Sequence, residues 1–120
     1  ISAALNAAIA LANMQNKKEA QEYFSQSVSD AKPKREALLS YAAFSEQSQE
    51  YTSALKLLKK HDNIHGETLN SMLTAARIYD KQGQHEVATE KYRAILLSGF
   101  RVPPDLTKYI KNRLAVSPSM

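Results

Sequence analysis

Apolar residues recur along this chain in a helical rhythm, and the rhythm itself repeats every 34 residues. Ala20, Ala54 and Ala88 stand 34 apart, and each is followed four positions later by a large apolar residue, Phe24, Leu58 or Tyr92. A small and a bulky residue at that spacing lie on one helical face. Strand-type alternation is absent, and three Gly and four Pro in 120 residues leave few interruptions, so the expected fold class is all-α. Repetition at this period predicts a stack of helical hairpins, in which each unit completes the apolar wall of the next.

Each unit divides into two helices and a tight turn. The pattern predicts helices over Ser2–Met14, from Lys17 to about Ser29, from Lys34 to about Gln47, from Tyr51 to about His61, from Glu67 to about Gln82 and from His85 to about Leu97. Gln15-Asn16, Ser48-Gln49-Glu50 and Gly83 supply the turns, and Pro33 breaks the chain between the first two units. Gly83 suits the left-handed residue that ends a helix. Gly66 is expected to act similarly in the loop before the third unit, and Gly99 to end its last helix. Pro103-Pro104-Asp105 then starts a seventh helix, whose stripe of Leu106, Tyr109, Ile110 and Leu114 would cover the third unit. Lys108, Lys111 and Asn112 would face water, and the tail from Val116 to Met120 would fray. The organisation expected is repeat 1 over 1–34, repeat 2 over 35–68, repeat 3 over 69–102, and a capping helix with its tail over 103–120.

Those residues carry a family resemblance. The unit resembles the tetratricopeptide repeat, most closely in the third copy: Ala75-Ala76 and Tyr79, Lys81-Gln82-Gly83 at the turn, then Ala88 and Tyr92. The second copy keeps Tyr41-Ala42, Tyr51, Ala54 and Leu58. The first keeps Ala7-Ala8, Leu11, Glu19-Ala20, Tyr23-Phe24 and Pro33. There is no Trp, Ser45 replaces the usual first-helix aromatic in the second copy, and that copy lacks the closing proline. The resemblance implies a right-handed superhelix of antiparallel helix pairs, with first helices lining a concave groove. It also implies a non-catalytic scaffold for protein or peptide partners. Chaperone-binding members hold an acidic tail with Lys, Asn and Arg; the matching positions here, Leu5, Ile9, Ser40, Asn70 and Thr74, do not supply that set.

Composition and charge change this picture little. Without cysteine there is no disulfide, no thiolate nucleophile and no Cys-based metal site. That leaves cytoplasm and periplasm both open. The net charge is +4, with a basic excess toward the C-terminal end in Lys91, Arg93, Arg101, Lys108, Lys111 and Arg113. No run of four basic residues occurs, and nucleic-acid binding normally shows a denser stripe. Contact of this end with polysaccharide or nucleic acid is the weakest of the partner options. The apolar stretch from Ile1 to Ala12 is too short to span a bilayer and has no basic segment before it, so no membrane insertion is expected. Its largely apolar character, and a start at Ile rather than Met, suggest an excised segment with further repeats upstream. Pairing of that helix with a copy of itself is the competing expectation, a spacer or oligomerisation element. Exopolysaccharide-exporting envelope proteins of bacteria use long arrays of such repeats, and this analogy alone leans toward the periplasm.

Candidate chemistry lies on a surface rather than at a reactive group. Opposite the packing stripe, helical spacing aligns Leu5 and Ile9; then Glu36, Leu39, Ala43 and Glu46; then Asn70, Leu73, Arg77 and Asp80. Leu5, Leu39 and Leu73 are again 34 apart. They are expected to form an apolar floor for a partner segment, with Arg77 and Glu46 fixing its orientation, or else to fill the seam between neighbouring helices. His61 and His65 have the spacing of a helical metal pair, but they are expected at a helix end running into a loop, and no further ligands are evident, so no metal or other cofactor is expected. His85 is expected to pack between repeats. No serine sits on a strained turn beside an oriented base, and no Gly-rich phosphate loop occurs. Catalysis is not expected.

Overall fold

A computed structural model describes residues 17–116, and this stretch is all-helical, with no strand among the described residues. Six helices follow in order: α1 (Lys17–Ser27), α2 (Arg35–Gln47), α3 (Tyr51–His65), α4 (Leu69–Lys81), α5 (His85–Leu97) and α6 (Pro104–Val116). The starts of α1, α3 and α5 are 34 residues apart, as are those of α2 and α4. The helix expected over Ser2–Met14, and with it Leu5 and Ile9, lies outside the described residues. The structure groups the chain more coarsely than repeat by repeat, in two compact units, Ile1–Gly66 and Glu67–Met120.

In the first unit, α2 and α3 pack along one another through a three-residue connection. So short a link forces an antiparallel pair. Ala37, Leu38, Ala42, Ala54 and Leu58 are buried, the alanines at 0% exposure, so nothing larger fits between the helices. Phe24 ties α1 to α2, stacking on Tyr41 at 5.4 Å and on Phe44 at 4.9 Å between ring centres. Tyr23 beside it stays partly exposed. His65 Nε2 donates to the Pro33 carbonyl at 2.8 Å and so fastens the far end of α3 to the loop before α2.

The helix α3 corrects one boundary. It runs through His61 to His65, four residues past the expected stop, and ends where Gly66 takes φ +86°. Asp62 and Asn63 are polar, but the segment through Ile64 holds no breaker, and polarity alone does not end a helix whose other face is packed. A second correction is at α4, which begins at Leu69 rather than Glu67. Thr68 is its cap: Thr68 Oγ1 accepts from the Ser71 amide at 3.1 Å and Ser71 Oγ accepts from the Thr68 amide at 3.0 Å.

In the second unit, α4 and α5 form the corresponding antiparallel pair, and α6 packs on α5. One apolar cluster joins Met72 and Ala76 of α4, Ala88, Tyr92 and Ile95 of α5, and Ile110 of α6. Leu106 and Leu114 close against it from α6. The last helix therefore lays its apolar stripe on the unit, while Lys108, Lys111 and Asn112 are exposed.

Candidate partner-binding face

Each unit presents a first helix with one face closed and another open. On α4, Met72 and Ala76 close the core while Asn70 and Arg77 are exposed. Asn70 Oδ1 accepts from Thr74 Oγ1 at 3.1 Å, which holds the amide against its own helix. Leu73 is shared: it is half-buried and packs against the core cluster. On α2, Glu36 and Ala43 are exposed, Leu39 is half-buried, and Glu46 is buried at 6% exposure. Burial takes Glu46 away from the orienting role expected of it. Leu5 and Ile9 fall outside the described residues.

Asp80 is held by two neighbours. Its carboxylate accepts from the Arg113 guanidinium of α6 and from His85 Nδ1 at 2.9 Å. Arg113 also lies over the Tyr92 ring, 5.4 Å from its centre, and Tyr109 meets that ring edge-on at 5.8 Å. Burial, with the neighbouring Tyr109 and Asp80, pushes the Tyr92 hydroxyl well above its ordinary range, so it stays protonated. This joint locks α6 to the α4–α5 pair by charge, a planar cation contact and aromatic packing together. The sequence signal for it was faint. Arg113 sits three residues after the inward-facing Ile110, so the helical period already turned it toward the core. The expected packing role of His85 is not met: its side chain is 66% exposed and serves Asp80 instead.

No family model matches the chain, and no curated protein does. Since α3 continues to His65, His61 and His65 do share a helix, with rings 5.6 Å apart. Each is committed elsewhere, His61 Nδ1 to Asp62 at 2.9 Å and His65 Nε2 to the Pro33 carbonyl. Among the described residues no group of three His, Asp or Glu is placed to hold a metal. Among them, too, no helix is long and apolar enough to cross a membrane.

Proposed function

We propose that this chain is a non-catalytic protein-interaction module of tetratricopeptide-like repeats. Its helix pairs stack as a right-handed superhelix, and the open faces of α2 and α4 receive a segment of a partner protein. The observation that carries this reading is the pairing of 34-residue helix spacing with alanine columns at 0% exposure: Ala20, Ala54 and Ala88 in second helices, Ala42 and Ala76 in first helices. Such columns let hairpins approach closely and leave the opposite sides of first helices for binding. Half-buried Leu39 and Leu73 supply apolar surface there, flanked by exposed Glu36, Ala43, Asn70 and Arg77.

A photo-crosslinking residue at position 43 or 70, in the full chain, tests the proposal. Adducts with a partner polypeptide are expected from both positions, and none from the same probe at Glu90 on α5, which is exposed elsewhere in its unit. Equal labelling from all three positions, or labelling from position 90 alone, would sink it.

A further inference from the structure

The C-terminal helix has a second open side, which the repeat pattern does not require. Val102 and Pro104, at the loop before α6, and Thr107, Lys108, Lys111 and Asn112, on the helix, line an open depression of about 520 Å³. Leu106, Ile110 and Leu114 occupy the opposite side of α6, against the core. The depression therefore lies on the face that this packing leaves over. Its rim is cationic. Lys108 and Lys111 are exposed and one turn apart, and exposed Arg101 directly precedes Val102. Among the described residues none of these three forms an ion pair, whereas Arg93 meets Glu90 and Arg113 meets Asp80. The lining holds no carboxylate. Asp105, in the first turn of α6, is bonded to neither lysine. Phe100 of the same loop is 37% exposed, and Leu97 at the end of α5 is 79% exposed.

We infer that this face is a second docking surface, for a short extended acidic segment of a partner protein. Two unneutralised lysines beside an apolar floor of Val102 and Pro104 complement such a segment in charge and in shape. Side chains at i and i+3 of a helix start about 5–6 Å apart. In an extended chain, residues two apart share a face and stand about 6.6 Å apart. Two carboxylates so spaced reach Lys108 and Lys111 together, and the segment's apolar atoms rest on Val102 and Pro104. A lipid surface, being flat, would touch the crest of the helix and leave the depression unfilled. The inference does not rest on the groove of α2 and α4, since it uses none of those residues.

The test titrates the 15N-labelled full chain with the blocked peptide Gly-Glu-Val-Glu-Gly in 50 mM salt, following amide shifts. Shifts are expected at 102–112, together with a loss of affinity of roughly tenfold in the Lys108→Glu/Lys111→Glu chain. The milder Lys108→Gln/Lys111→Gln pair guards against a folding effect and is expected to weaken binding in the same direction. A Gln-for-Glu peptide is expected to leave the spectrum unchanged. An equal response to that neutral peptide, no shifts at millimolar concentration, or shifts confined to α4 would each overturn the inference. So would phosphatidylglycerol vesicles binding through the two lysines where the peptide does not. Crosslinking at positions 43 and 70 reads the groove separately, so either proposal can fail alone.

Discussion

The two hairpins α2–α3 and α4–α5 are built on one period and secured by different chemistry. Both turns use the same hydrogen bonds: Glu50 N to the Ser45 carbonyl at 2.8 Å, and Gln84 N to the Tyr79 carbonyl at 2.9 Å. Their details then part. Gly83 takes the left-handed turn position in the second hairpin, and Gln49 takes it in the first. Thr68 and Ser71 cap α4 reciprocally, while Lys34 before α2 makes no side-chain cap. At the same register, 34 residues apart, α3 buries His61 and α5 buries Ile95. Periodicity sets where the backbone goes. The substituents at equivalent positions set how firmly it is held, and they favour the second unit.

The largest contrast lies in that last pair. Ile95 is fully buried within the main cluster, so Ile95→Ala should cost about 3 kcal/mol by lost burial and an unfilled cavity. His61→Ala should cost clearly less. Its Nδ1 bonds Asp62, but Nε2 is buried without a hydrogen-bond partner, and removing that unsatisfied polar atom recovers part of the loss. Native-state hydrogen exchange, read unit by unit, measures both. Equal losses would mean that the histidine packs as well as the isoleucine, and the contrast would disappear.

Next comes the joint that only the second unit has. Both side chains of the Asp80–Arg113 pair are 20% exposed, so the pair is mostly shielded from solvent without being sealed from it. Arg113→Met should cost about 1.5 kcal/mol and release protection in α6 before α4 or α5. A double-mutant cycle with Asp80→Asn should show coupling of about 1 kcal/mol, changing little with salt. Coupling near zero would leave α6 held by Leu106, Ile110 and Leu114 alone.

What the sequence made legible divides along the same line. Helix spacing and the buried alanine columns were readable because periodicity is local: i to i+4 within a helix, and one fixed offset between copies. The Arg113–Asp80 and His65–Pro33 contacts were not, because each joins residues more than 30 positions apart whose meeting depends on the packed geometry. The groove suffered from the same gap. Helical spacing puts Asn70, Arg77, Glu46 and Asp80 on one kind of face; the first two are exposed, while Glu46 is buried and Asp80 is bonded to His85 and Arg113. The late end of α3 escapes the pattern for a different reason: Asp62 and Asn63 resemble a loop in composition, although Gly66 is the first true stop.

Capping offers a smaller test in each direction. Thr68→Ala removes the Oγ1 half of a reciprocal cap, leaving the backbone amide of residue 68 bonded to Ser71 Oγ, and should cost about 1 kcal/mol, confined to the second unit. Lys34 already has the extended backbone of a cap residue, φ −66° and ψ 150°, and its own amide-facing side chain is the missing part. Lys34→Thr should therefore return about 0.5–1 kcal/mol to the first unit. Urea unfolding with unit-resolved exchange checks both changes. If Lys34→Thr gives nothing, the start of α2 is limited by something other than its unfilled amides.

The smallest expected effect is the cleanest, because it isolates a single dihedral angle. Gln49 sits at φ +63° and Gly83 at φ +81°, in turns of the same hydrogen-bond pattern. A side chain in the left-handed region costs about 1 kcal/mol, and glycine costs about 0.5 kcal/mol through the freedom it regains on unfolding. Gln49→Gly should therefore stabilise the first unit by about 0.5 kcal/mol, and Gly83→Ala should destabilise the second by a similar amount. A Cβ added at Gly83 meets no atom within 4 Å, so the penalty there is conformational and not a clash. Opposite signs of similar size would show that the two turns differ only in this substituent. Matching signs would mean that the Gln49 side chain contributes contacts of its own, and that the first turn is tuned rather than strained.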